Sequence, residues 1–297
     1  MRPEIAHIQE LMEAAEYVTD APVATSVHLA LTLRKPLLIE GHAGVGKTEV
    51  AKVMARVLGT NLIRLQCYEG LDAATALYEW NYQKQLLHIR LGETSNNRPL
   101  GEKEKEIFSE PFLLRRPLLQ AISQEDRAPV LLVDEVDRCD EEFEAFMLEV
   151  FAEWQVTIPE IGTIRAAHPP HVILTSNRTR ELSDALRRRC LYLWIDYPEL
   201  DKEIRIVERK VPGIDARLAR EIARFMEAVR RMRLSKVPGV AETLDWAQAL
   251  VSLHADHLDE AVIQETLGCV LKDADDLKRF RAEVARAGLT PFLPVTP

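Results

Sequence analysis

The sequence predicts an α/β fold: a parallel five-stranded sheet between helices, followed by a small all-helical domain. Three observations predict it. Short apolar runs that end in polar or acidic residues alternate with segments of helical periodicity, the pattern of a buried parallel sheet. One such run leads into a helix through Gly41-His42-Ala43-Gly44-Val45-Gly46-Lys47-Thr48, which fits the phosphate-binding pattern G-x-x-x-x-G-K-[ST]. Beyond Tyr197-Pro198 only helical patterns remain. The division expected is therefore an α/β nucleotide-binding domain at 1–197 and a helical domain at 198–297.

In chain order, residues 3–33 read as helix, broken near Asp20-Ala21-Pro22. Residues 35–40 form the first strand, and the glycine loop follows. Its glycines let backbone N–H groups converge on phosphate oxygens without Cβ clashes. The N-terminus of the helix at 48–58 adds positive potential. Lys47 can reach the β- and γ-phosphates, the Thr48 hydroxyl can ligate Mg²⁺, and Glu49 opens the helix beside them. Residues 61–67 alternate as a second strand, and 71–80 read as a helix with Asp72 near its start. Residues 81–91 read as a strand or hairpin, and 92–110 are polar and charged around the loop signal Asn96-Asn97-Arg98-Pro99. Together they suggest an insert at about 81–111, after which 111–123 resumes helical periodicity.

The next strand, Pro129-Val130-Leu131-Leu132-Val133-Asp134-Glu135, carries two carboxylates to its C-terminal edge, where ligands bind in open α/β sheets. Asp134 is placed to hold the Mg²⁺ shell and Glu135 to polarise the attacking water. The acids at 137–144 read as the start of a helix, where the macrodipole favours them. A hairpin is expected at about 155–166. Residues 171–177 form a further strand whose Asn177 can hydrogen-bond the γ-phosphate or the water. Arg187, Arg188 and Arg189 precede the last strand, 191–195. They are either a solvated basic turn or an arginine finger for a neighbour's γ-phosphate. Five helices follow, and the proline-rich tail at 290–297 reads as extended.

The 297 residues carry a formal net charge of −9, a balance that argues against duplex nucleic acid as main partner. No apolar run approaches the ~18–20 residues of a membrane span. The N-terminus lacks the apolar core of a signal peptide, so a cytoplasmic home is expected. Cys67, Cys139, Cys190 and Cys269 are scattered, with no C-x-x-C spacing.

The order of Gly41–Thr48, Leu131–Glu135, Ser176-Asn177 and Ala185–Arg189, before a strand and a helical lid, resembles an AAA+ ATPase module over nearly the whole chain. Within that class the insert and the hairpin are similar to those of the MoxR family. Two runs, 175–186 and Glu242-Thr243-Leu244-Asp245-Trp246-Ala247, resemble its CoxD-type branch. The resemblance implies Walker A roles for Lys47 and Thr48, Walker B roles for Asp134 and Glu135, and a sensor 1 role for Asn177. It implies that the finger lies at Arg188 or Arg189, with Arg187 beside them. One departure stands out. Pro238-Gly239-Val240-Ala241-Glu242 has no arginine where sensor 2 is expected. Sensor 2 is then missing, replaced by Arg233 or Lys236, or supplied by a neighbour. The family implies ATP and Mg²⁺, a homo-oligomer (a hexameric ring), a von Willebrand A-domain partner and a client metalloenzyme. For the CoxD branch the client is a molybdenum hydroxylase such as carbon monoxide dehydrogenase. A nucleic-acid-dependent motor or loader, and a nucleotide-gated scaffold without turnover, are the competing readings of the same fold.

Overall fold

The computed structural model describes residues 2–92 and 105–293. Their contacts separate into two compact units. One comprises residues up to Ile8, Ala21–Glu40 and the described part of Ala51–Leu193; the other comprises Gln9–Asp20, Gly41–Val50 and the chain from Trp194 onward. Helix α1 (Pro3–Ala14) is divided between them, and α2 (Ala21–Leu33) belongs to the first.

The first unit is built on the five-stranded sheet. Its strands are β1 (Leu37–Gly41), β2 (Leu62–Gln66), β5 (Val130–Asp134), β8 (His171–Ser176) and β9 (Leu191–Ile195), in the order β2-β5-β8-β1-β9. The pairs β2–β5, β5–β8 and β8–β1 are parallel. Every residue of β1 and β5 is buried, as expected of strands covered on both faces. Register places Gln66 opposite Asp134 and Glu40 opposite Ser176, so polar side chains collect at one edge of the sheet. Helix α3 (Lys47–Leu58) follows β1 and the glycine loop.

Three expectations in and around the insert are corrected. The helix expected at 71–80 is only α4 (Ala73–Leu77), capped by Asp72, whose carboxylate accepts from the Thr75 N–H at 2.6 Å. It gives way to β3 (Tyr78–Trp80), which pairs antiparallel with β4 (Leu113–Arg115). Residues 81–91, expected as strand or hairpin, form helix α5 (Tyr82–Gly92). Asn81 starts it by accepting the Lys84 N–H at 3.0 Å, and its Gln, Lys and Leu residues favour helix. Leu86, Leu87 and Leu91 are exposed, so no buried face imposes a period of two. Third, the helix expected over 111–123 is shortened to α6 (Pro117–Ile122). Proline disfavours helical backbone in the residue before it, and β4 ends there. Within the charged stretch, residues 93–104, including Arg98 and Lys103, lie outside those described.

Helix α7 (Glu141–Glu153) precedes the hairpin of β6 (Gln155–Ile158) and β7 (Gly162–Arg165), which is antiparallel and turns at a left-handed Gly162. Short helix α8 (Asp184–Arg189) leads into β9.

The second unit holds α9 (Leu200–Lys210), α10 (Ala216–Arg230), α11 (Val240–Ser252), α12 (Glu260–Val270) and α13 (Ala274–Ala287). Their apolar faces close on Phe225, Trp246 and Phe280. The Trp246 indole donates to the Thr266 hydroxyl at 2.8 Å, satisfying its one polar group in the core. In the first turn of α13, the buried Asp276 carboxylate accepts the Ser235 and Lys236 N–H groups at 2.8 and 2.9 Å. The tail departs from the extended reading. Phe292 is buried with its ring 5.0 Å from that of Phe280, and its N–H bonds back to the Leu289 carbonyl. Residues 294–297 lie outside those described.

Candidate functional site

The glycine loop belongs to the second unit and is held there by close backbone packing. A Cβ on Gly41 would stand 2.1 Å from the Ile195 carbonyl oxygen, so only glycine fits. Gly44 and Gly46 have φ of +75° and +92°, the left-handed backbone that turns the loop. Lys47 is buried, and its Nζ donates to the Gly41 and His42 carbonyls at 2.9 and 2.6 Å. His42 stacks on Tyr197, with centroids 4.7 Å apart.

The start of α11 packs on this loop without any arginine. The Ala241 N–H donates to the Gly44 carbonyl at 3.1 Å. A Cβ on Gly239 would meet the Ala43 carbonyl oxygen at 2.7 Å and the Gly44 backbone at 2.9 Å. Glu242 closes a capping box by accepting the Gly239 N–H at 2.8 Å. Arg233 and Lys236 are exposed, and the cation buried behind this segment is Arg230. Its guanidinium grips both Glu203 oxygens at 2.6 and 2.7 Å, donates to the Pro238 carbonyl at 2.9 Å and the Thr243 hydroxyl at 3.1 Å, and lies over the Tyr197 ring. Arg230 sits in an ordinary amphipathic helix pattern, so no local signal in the sequence marks it.

The acid pair belongs to the first unit and is held by side chains. Asp134 is buried at the end of β5. Its Oδ1 accepts from the Thr175 hydroxyl at 2.5 Å, and its Oδ2 accepts from Arg64 Nη2 at 2.6 Å. Thr175 in turn accepts the Glu135 N–H at 2.9 Å. Glu135 has a left-handed φ of 56°, which turns the chain out of the strand. Its carboxylate accepts from Gln66 Nε2 at 3.1 Å and Arg138 Nη1 at 3.3 Å, and Asn177 Nδ2 reaches it at 3.5 Å. The three residues expected to act here, Asp134, Glu135 and Asn177, are therefore together at one edge of the sheet. Arg64, Gln66 and Thr175 were not anticipated. The period-two alternation of 62–66 puts Arg64 and Gln66 on one face, the one available signal for the first two.

The acidic run at 137–144 is only partly helix-start chemistry. Asp140 does cap α7, accepting the Phe143 N–H at 2.8 Å. Asp137 and Glu144 are buried instead. Asp137 accepts from the Asn177 N–H at 3.2 Å and from the Thr179 N–H and hydroxyl at 2.8 and 2.7 Å. Glu144 pairs with Arg180 at 2.5 Å and accepts the Ser183 N–H at 2.9 Å. Both carboxylates thus fasten the segment that carries Asn177. Nearby, Cys67 and Cys139, 72 positions apart in the chain, are both buried in the core of the sheet unit. The Cys139 thiol beside it, then burial and the carboxylates of Asp134 and Asp137, push the Cys67 thiol far up.

The three arginines of α8 separate. Arg187 leans to within 4.0 Å of Glu40, the buried carboxylate at the end of β1 that also accepts from the Tyr192 hydroxyl at 3.0 Å. Arg189 donates to the Leu148 carbonyl at 2.9 Å and lines a cavity of about 240 Å³ with Phe151, Trp154 and Leu186. The Arg188 side chain is 83% exposed and comes within 4.0 Å of Asp184.

Among the described residues no three His, Cys, Asp or Glu side chains gather as a metal cluster. One buried carboxylate, here Asp134 held by the Thr175 hydroxyl and Arg64, suits Mg²⁺, which takes waters and phosphate oxygens as its other ligands. Also among the described residues, no helix is long and apolar enough to cross a membrane.

Comparison with known proteins places these features. The family model described as AAA domain (dynein-related subfamily) matches residues 36–190. The gas vesicle ATPase GvpN of Haloferax mediterranei is 25% identical over 275 residues, covering 88% of this chain and 76% of that protein. An uncharacterized protein of Staphylococcus aureus is 24% identical over 241 residues, covering 79% and 82%. Among solved structures, a variant of Thermotoga maritima RuvB aligns with a TM-score of 0.52 at 18% identity, covering 93% of this chain and 78% of that one. A second RuvB variant gives 0.51 at 18% identity, covering 93% and 75%. These structures share the fold.

Proposed function

For a chain that belongs to the AAA domain family, dynein-related subfamily, we propose an ATP-hydrolysing remodelling protein of MoxR type. The observation that carries the reading is the acid pair at the end of β5. Glu135 is presented there on left-handed backbone and hydrogen-bonded by Gln66. A carboxylate held at a strand's end, next to Asn177, is equipped to take up the proton of an attacking water.

The site residues then take the following roles. The amides of residues 41–48 bind the phosphates of ATP, and Lys47 exchanges its two carbonyl partners for phosphate oxygens. Glu49, in the first turn of α3, stands beside them. Thr48 and Asp134 would hold Mg²⁺, which neutralises phosphate charge when bound. Glu135 orients and deprotonates water, and Asn177 steadies it. Arg188 is the finger we favour, because Arg187 and Arg189 have partners at Glu40 and Leu148 while Arg188 projects outward. A finger that acts on a neighbour requires a homo-oligomer, and a hexamer is the state we propose. At the base of the lid, Arg230 stands in for sensor 2 indirectly by bracing the Pro238 carbonyl.

The finer assignment rests on the resemblance of 175–186 and 242–247 to the CoxD branch. It comprises a cytoplasmic chaperone with a von Willebrand A-domain partner that matures a molybdenum hydroxylase of carbon monoxide dehydrogenase type. The name of the Haloferax relative supports the ATPase part alone.

Glu135→Gln tests the reading. The variant should retain ATP while hydrolysis falls about 10²–10⁴-fold, the usual contribution of a general base. Turnover at wild-type rate would show that another residue activates the water. In pull-downs the ATP-locked variant should enrich the A-domain partner and the client, and recovery of neither would reject that finer assignment.

A further inference from the structure

Arg64 pairs with the acid proposed to serve Mg²⁺. Its Nη2 lies 2.6 Å from Asp134 Oδ2, and the same nitrogen lies 2.5 Å from the Gln66 amide oxygen. Gln66 in turn donates to Glu135 at 3.1 Å. One guanidinium therefore touches the metal-side carboxylate directly and the water-side carboxylate through one amide. The pair is asymmetric in burial: the Asp134 side chain is 4% exposed, whereas that of Arg64 is 53% exposed. A buried carboxylate needs a counter-charge, and one standing half in water can leave without opening the core.

From this geometry we infer that Arg64 is a resident counter-ion of Asp134 that Mg²⁺ must displace or repel. The inference rests on the ATPase reading above. A guanidinium at 2.6 Å and a dication served by the same carboxylate oppose each other, because like charges at such range cost energy even in a screened setting. Before the metal arrives, Arg64 compensates Asp134 and, through Gln66, holds Glu135 in place. With the metal bound, Arg64 would lose its electrostatic reason to stay, and its half-exposed side chain would be free to swing into solvent. The device lowers the chain's affinity for Mg²⁺ in exchange for keeping the acid pair ordered in its absence.

The readout is equilibrium binding of a fluorescent ADP analogue titrated with Mg²⁺, in wild type, Arg64→Gln and Arg64→Lys. Arg64→Gln should lower the Mg²⁺ concentration at half-saturation about tenfold, equivalent to ~1.4 kcal/mol. Added salt should shrink that gap. Arg64→Lys, which keeps the charge, should stay closer to wild type. If Arg64 only props Asp134 structurally, Arg64→Gln will lower the melting temperature and leave the Mg²⁺ midpoint unchanged or raised, and the inference is overturned. A midpoint shifted equally by Lys and Gln overturns it too, since charge would then not be the cause. A wild-type chain that binds no nucleotide at any Mg²⁺ concentration would reject the ATPase reading as well, whereas nucleotide binding with an unshifted midpoint rejects the counter-ion alone.

Discussion

The glycine loop and the acid edge are built by opposite means. The loop, in the helical unit, is positioned by absent side chains: Gly41 within it and Gly239 at the start of α11 admit carbonyl oxygens where any Cβ would collide. The acid edge, in the sheet unit, is positioned by what its residues carry: Asp134, Glu135 and Asn177 are fixed by hydroxyl, amide and guanidinium partners. Steric fitting tolerates no added atom but asks little of charge. A hydrogen-bonded network tolerates small shifts but fails when one partner is deleted.

The harshest way to break this comparison is to delete a charge beside the glycine loop, where the contrast says charge matters least. Arg230→Met strands the buried Glu203 carboxylate and frees the Pro238 carbonyl. The expected loss is about 3–5 kcal/mol of stability, read by denaturant unfolding. A loss under about 1 kcal/mol would show that the arginine is dispensable and that the glycine contacts suffice alone. Next, Lys47→Ala removes the side chain that we propose meets the phosphates. ATP affinity should fall by about 100-fold, the value of two charge-assisted hydrogen bonds, measured by calorimetry. Retention of affinity would mean that the backbone amides carry binding alone.

Smaller and more specific is Gly239→Ala. One methyl group pressed against the Ala43 carbonyl should cost about 1–3 kcal/mol and weaken nucleotide binding with it. Stability lost with affinity intact would uncouple α11 from the loop. The smallest effect is expected at Asp276, a side-chain-held carboxylate within the helical unit itself. Burial raises its pKa, but the Ser235 and Lys236 N–H groups and Arg279 lower it more, so it sits below the ordinary carboxylate value. A depressed folded pKa stabilises above the unfolded value and ceases to as pH falls through the folded one. Asp276→Asn should therefore cost about 1 kcal/mol at neutral pH, with the gap from wild type closing below about pH 4. A gap that widens in acid would contradict the sign.

What the sequence made legible follows the same contrast. The loop residues are contiguous, and β5 announces its carboxylates because they end an apolar run. Periodicity was enough to recover the five strands of the sheet and the five lid helices. The partners were hidden because each acts across a long gap in the chain. Arg64 reaches Asp134 over 70 positions, and Asp137 holds Thr179 over 42. Charged residues at such positions look like ordinary solvated faces. The insert was misread for a different reason. With Leu86, Leu87 and Leu91 exposed on α5, burial does not set the period, and apolar residues no longer report secondary structure. Asn81, the cap that in fact starts the helix, was the better signal.

The aromatic centre of the helical unit is assembled from segments far apart in the chain. The Phe292 ring fills space against both Phe225 and Phe280, so one ring ties the stretch after α13 to α10 and to α13 itself. Removing a buried phenyl ring costs about 3–5 kcal/mol, so Phe292 carries as much of the unit's stability as a residue in the middle of a helix.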